Sequence, residues 1–258
     1  MKAISYKTSA RQRNPITSLG SDRRVKAMRR VGITQLGGTN PVWWVDYSQT
    51  QTAEGTAIDA TAVPQRKAVS WTVSGPADRA AWTSQGLEFA GAQVYSRGTG
   101  DDVNGQLQLS IISVFIAQSN GGSVVEAATS RFYNQRGLTH SIGTAGQLIM
   151  SEGPLPTNFR NYAAVFGERV AFGCYWDTAN PDPNLTELAS KNGETPAVTA
   201  SQVDPKGTPF SVGNLFFGAR PADNVYYEGT VKVSILYNGE SSQNNLNELT
   251  RVAQWSVR

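Results

Sequence analysis

Apolar and polar residues alternate with a period of two along much of the chain, which predicts strands. Leu107, Leu109 and Ile111 alternate with Gln106, Gln108 and Ser110, then run into Val114, Phe115 and Ile116, a stretch that reads as buried on both faces. Val170, Phe172, Cys174 and Trp176 point one way, with Ala171, Gly173 and Tyr175 on the other face. Val231, Val233, Ile235 and Tyr237 alternate with Lys232, Ser234 and Leu236, the cleanest such run in the sequence. Further strands are predicted at 42–47, 68–74 and 87–95, with weaker versions at 124–133 and 146–150. Turn-forming residues separate them at 98–105, 119–123, 178–184, Asn192-Gly193 and Asn238-Gly239. Helical spacing is scarce. Leu246, Leu249 and Val252 suggest a terminal helix over 245–255, and single turns fit 76–82, with Asp78 as cap, and 185–190. The pattern has no internal repeat and predicts an all-β, eight-stranded antiparallel jelly-roll sandwich. That domain spans 42–245, followed by a tail at 246–258 that reads as helical.

Charge divides the chain differently. Residues 1–31 hold nine basic side chains and one acid, Asp22, for a net charge of +8. The other residues hold 14 basic and 19 acidic side chains, or −5. This arm has few large apolar residues, so its composition predicts disorder in the free chain, with a short helix at 22–31 that binding would firm up. Residues 32–41, with a Gly-Gly pair and ending at Pro41, read as a linker. Lys2, Lys7, Arg11, Arg13, Arg23, Arg24, Lys26, Arg29 and Arg30 suit phosphate contacts made by charge and counterion release, without base specificity. The densest part, 23–30, also fits a nuclear-import signal. No stretch approaches the ~18–20 apolar residues of a membrane span, and no secretory leader is evident, so synthesis in the cytosol is expected.

Catalytic signals are sparse. A Ser-His-Asp triad would have to use the single histidine, His140, in the polar segment Thr139-His140-Ser141, which reads as surface. The nucleophile-elbow and phosphate-loop motifs are missing, so no enzymatic activity is expected. Cys174 is the single cysteine and reads as a buried structural thiol. Two loops offer hard oxygen ligands for a tentative calcium ion, shared at subunit interfaces: Asp101 and Asp102 in one, Asp177 and Asp182 in the other. Asn184-Leu185-Thr186 matches the glycosylation acceptor pattern. The six tryptophans, including Trp43-Trp44, fit core or subunit contact better than carbohydrate stacking.

A basic arm, a glycine-containing connector and a β domain of some 200 residues together resemble the coat proteins of small non-enveloped icosahedral viruses. The resemblance implies a capsid protein with a single jelly-roll shell domain that assembles with itself. Its arm, including Arg11, Arg13, Arg23, Arg24, Lys26, Arg29 and Arg30, would bind a single-stranded genome, favouring RNA over DNA. Asp101 and Asp102 would correspond to interface calcium sites. The setting would be the virion, with no membrane partner. A second class is a carbohydrate-binding or attachment β-sandwich module of a virion or phage tail. A third is a hydrolase using His140.

Overall fold

The computed structural model describes residues 43–46, 80–98, 103–118, 122–128, 137–154, 157–220 and 224–256. The arm, the linker and the predicted strand at 68–74 lie outside them. Two antiparallel sheets, each of seven strands, form a sandwich. The all-β antiparallel sandwich expected from the alternation is present, larger than the eight strands foreseen.

Sheet A runs β11 (Glu187–Lys191), β10 (Arg169–Asp177), β5 (Gln108–Ala117), β16 (Glu228–Asn238), β3 (Gly86–Ala90) and β2 (Ala81–Thr83), with β1 (Trp43–Asp46) also paired to β16. Sheet B runs β12 (Val198–Gln202), β9 (Asn158–Ala164), β8 (Gln147–Glu152), β7 (Leu138–Ile142), β6 (Gly122–Ala128), β13 (Asn214–Phe217) and β4 (Tyr95–Gly98). Its four strands β6 to β9 follow one another as a meander. A small hairpin joins β14 (Ala219–Arg220) to β15 (Val225–Tyr226).

The main core lies between the sheets. Sheet A contributes Leu109, Ile111 and Phe115 of β5 and Val170, Phe172, Cys174 and Trp176 of β10; sheet B contributes Leu138, Leu148, Met150, Tyr162 and Leu215. Each large apolar side chain so buried contributes ~1.5–3 kcal/mol.

The opposite face of sheet A is buried as well. Ile112, Val114, Ala171, Tyr175, Val233, Ile235 and Tyr237 pack against Leu246, Leu249 and Ala253 of α2 (Gln243–Ser256). The helical spacing read from the sequence is therefore the docking stripe of this helix, which forms a third layer. Gly173 admits the helix, because a Cβ there would lie 2.6 Å from Thr250 Cγ2 and 3.0 Å from Leu246 Cδ1. The Thr250 hydroxyl also bonds Ser190 Oγ at 2.6 Å and accepts from the Gly193 amide at 3.0 Å.

One alternation is interrupted. Val231 pairs with Phe115 and Val233 with the adjacent Val114, leaving Lys232 as a bulge in β16. Val231 consequently enters the main core, while Val233, Ile235 and Tyr237 face α2. Residues 185–190, read as a helical turn, instead divide between the short α1 (Pro183–Thr186) and β11. Asp182 caps α1 through the Asn184 amide, and the chain then extends along the edge of β10.

Replacing Gly173 with Leu drives a side chain into Thr250 and Leu246. Overpacking of this kind costs ~1–3 kcal/mol, and each kcal/mol lowers Tm by ~2–4 °C in a domain of this size. Thermal unfolding followed by circular dichroism should show that loss; an unchanged Tm would mean that α2 does not press on β10.

Candidate functional site

Residues of sheet B that alternate with its core positions face outward. In β7, Leu138 and Ile142 belong to the main core, which places Thr139 and Ser141 on the other side. In β8, Leu148 and Met150 point inward, leaving Gln147, Ile149 and Ser151 outward. In β9, Tyr162 points inward and Asn161 outward. Register then sets three outward residues in a row across the sheet, since Ser141 pairs with Ile149 and Ile149 with Asn161. This row floors a cleft of about 720 Å³, within the ~300–1,000 Å³ typical of small-ligand sites. Gly143, Thr144 and Gln147 close one end at the β7–β8 turn, and Asn224, Tyr226 and Glu228 form the facing wall.

The wall is held from behind by Tyr227. Its ring is buried in the main core, edge-on to Phe89 at 5.8 Å and Phe115 at 6.3 Å. Its hydroxyl donates to the Ile116 carbonyl at 2.9 Å, and burial pushes the phenol well above its usual range, so it remains a donor. The Tyr227 amide donates to Gly218 O at 2.8 Å, and the Gln118 amide to Glu228 O at 3.0 Å. With Tyr227 turned inward, its neighbours Tyr226 and Glu228 line the cleft. Gly122 permits this close approach: at φ +150, a Cβ there would meet Tyr227 Cα at 2.5 Å and Tyr226 O at 2.8 Å.

His140 is not on the surface. It alternates in register with Leu138 and Ile142, so it enters the core between Phe172, 4.9 Å away, and Phe115, 5.6 Å away. Both ring nitrogens lack a hydrogen-bond partner among the described residues, and burial lowers its pKa to about 3. A neutral, enclosed imidazole cannot exchange protons with a bound substrate, which removes the triad candidate. Its neighbour Ser141, by contrast, belongs to the cleft.

The remaining sequence-derived candidates lie elsewhere. Asp177 is buried at the end of β10, accepting from Gln108 Nε2 at 3.1 Å, the Tyr175 hydroxyl at 3.2 Å and the Ala179 amide at 3.2 Å. Asp182 caps α1, accepting from the Asn184 amide at 2.9 Å. Among the described residues, no three His, Cys, Asp or Glu side chains are grouped to hold a metal. Asp101, Asp102 and the nine basic arm residues lie outside the described residues. Cys174 is buried in the main core, with its thiol pKa raised by burial and by Glu187. Asn184 of the glycosylation pattern lies exposed on α1. Trp176 is fully buried and Trp82 packs on the core, so neither supplies the aromatic side chain of the cleft.

A second buried polar group sits on the inward side of β9. Arg160 Nε lies 3.8 Å from Glu187, which is fully buried. The Glu187 pKa is raised, first by burial and then by Glu152, against the opposing pull of Arg160 and Lys206. Tyr226, Glu228, Asn161 and Ser141 carry no sequence motif. Strand parity on β7 and β9, two strands whose polar composition hides their alternation, would have found Ser141 and Asn161.

No protein-family model and no curated protein matches the sequence. Solved structures do match the fold. Trypanosoma rangeli sialidase in complex with sialic acid superposes with a TM-score of 0.59 at 9% identity, over 93% of this chain and 38% of that one. The ligand-binding domain of botulinum neurotoxin serotype D in complex with N-acetylneuraminic acid gives 0.58 at 8% identity, over 87% and 52%. The carbohydrate-binding module of a Ruminococcus gnavus sialidase, bound to α2,6-sialyllactose, gives 0.45 at 16% identity, over 82% and 100%. This chain therefore spans 38% and 52% of the first two proteins. The first two likenesses overturn the coat-protein reading, because the sandwich resembles that of a sialidase and of a toxin domain. The self-assembled shell and the packaged nucleic acid, RNA or DNA, fall with it as partners. An arm joined to a β domain is a layout that many proteins share, and the resemblance rested on layout.

Burial of His140 gives stability a pH dependence of known sign. Its folded pKa of about 3 lies below the ordinary imidazole value of 6.5, so its contribution is full above 6.5 and is lost as pH falls toward 3. The slope reaches ~1.4 kcal/mol per pH unit. Glu187, with a raised pKa, acts oppositely: its contribution is full below the ordinary carboxyl value of 4.5 and declines as pH rises. Urea unfolding at pH 7, 5 and 4 should therefore show His140→Phe losing less stability on acidification than the unsubstituted protein. Parallel losses would mean that the imidazole is already protonated in the folded state.

Proposed function

We propose that this chain is a carbohydrate-binding module, that its ligand occupies the cleft on sheet B, and that it binds without chemical conversion. The observation that carries this reading is the character of the lining: hydroxyl and amide groups of Ser141, Thr144, Gln147, Asn161 and Asn224 beside the aromatic ring of Tyr226. Sugar hydroxyls both donate and accept, as do side-chain amides and hydroxyls, while sugar C–H faces are apolar and pack on an aromatic ring. A strand row presents such groups at fixed spacing, which favours ring-shaped ligands with hydroxyls at regular intervals.

Binding without conversion fits the same lining. Glycoside hydrolysis ordinarily uses a pair of carboxyl groups flanking the scissile bond, and among the described residues the lining supplies one, Glu228. His140 is sealed in the core. The sialic acid and N-acetylneuraminic acid named with two of the similar structures agree with a sugar ligand, but that likeness extends to fold alone; support for binding comes from the cleft's own side chains.

Screening the full chain against an immobilised set of oligosaccharides should reveal a bound subset. Tyr226→Ala and Asn161→Ala should each weaken that binding about tenfold, or ~1.4 kcal/mol. Leu185→Ala, an exposed position on α1, should leave it unchanged. Retention by the full set of glycans in both cleft variants, or no binding at all, would reject the cleft as a sugar site.

A further inference from the structure

The lining of the cleft has a distinctive charge inventory. Among the described residues it contains one ionisable acid, Glu228, and no Lys, Arg or His. The cation nearest in sequence to the floor is Arg160, beside Asn161, but it occupies the opposite face of β9. There it donates to the Pro183 carbonyl at 2.8 Å and lies 3.8 Å from Glu187.

The unmet hydrogen-bonding capacity of the cleft has the same polarity. Asn161 Oδ1 is buried and has no hydrogen-bond partner among the described residues. A buried acceptor of this kind calls for a donor. A Glu228 carboxylate also accepts only. Asn161 Oδ1 and the Glu228 carboxylate thus both ask for ligand O–H or N–H groups. An ionised ligand carboxylate entering this cleft would lose hydration, find no guanidinium fork among the described lining residues to replace it, and meet the Glu228 carboxylate.

We infer that the cleft selects neutral glycans and discriminates against sialylated ones, with Glu228 as the residue that sets this preference. The inference rests on the carbohydrate-binding reading above and deepens it. It also separates this chain from the ligands named with the similar structures. The sandwich is shared, whereas the charge on the cleft is a property of these residues.

The test uses paired oligosaccharides, each neutral galactoside or N-acetylhexosaminide beside the same molecule capped with sialic acid, titrated against the full chain. Capping should weaken binding at least tenfold, and the gap should narrow as salt is raised from 0.05 to about 1 M. Glu228→Lys should raise the sialylated-to-neutral binding ratio at least tenfold, and the near-isosteric Glu228→Gln about threefold. Capped ligands that bind the unsubstituted protein as tightly as their parents, with Tyr226→Ala weakening both, would overturn the preference and leave carbohydrate binding standing. Failure of every neutral and capped ligand to bind would overturn both. The paired comparison on the unsubstituted protein needs no variant to fold.

Discussion

The central strands of sheet A are apolar on both faces, and the rest of the architecture answers to that fact. Strands β5, β10 and β16 present one set of side chains to the main core and another to the far side. Neither set can be left in water without losing the burial that stabilises the fold. Sheet B covers the first face and α2 the second. Between β5 and β16, the buried Ser113 and Ser234 hydroxyls satisfy each other across the ladder at 2.7 Å. With both faces of sheet A committed to packing, the cleft falls to the outer side of sheet B. There the strands alternate more evenly between core and polar positions.

How far the sequence reveals this differs from strand to strand. In β10, both faces are legible, because Val170, Phe172, Cys174 and Trp176 hold strict alternation with Ala171, Gly173 and Tyr175 and no bulge intervenes. In β16, the same reading places Val231 with Val233, and the bulge at Lys232 separates them. A bulge changes backbone count without changing composition, so it leaves no periodic trace. Strand β7 was hidden for another reason: Thr139, His140 and Ser141 look solvated, yet the flanking Leu138 and Ile142 fix a parity that carries His140 inward. Burying an imidazole is tolerable when it remains neutral, an option that the hydropathy of the residue does not reveal. The cleft followed the same pattern, since its floor depends on which residues of three polar-looking strands stand opposite one another.

The coat-protein reading arose from a real feature, the separation of a +8 segment from a −5 remainder. Charge distribution supports statements about association and solubility, not about fold. The sandwich is common to proteins with unrelated roles, and its function is decided by groups placed at one site. Here those groups are amides, hydroxyls, one phenol and one carboxylate.

On the proposed carbohydrate-binding reading, Tyr227 has a consequence for the time course of binding. The backbone on either side of it is tied to Gly218 and Gln118, and its ring and hydroxyl are anchored among Phe89, Phe115 and Ile116. Tyr226 and Glu228 are thus set in place as the chain folds, before any ligand arrives. Entropy that a mobile wall would lose on each encounter has already been lost once, during folding. Ligand capture should then proceed in a single kinetic phase, with no slow closing step, and differences among sugars should appear chiefly in how quickly they leave.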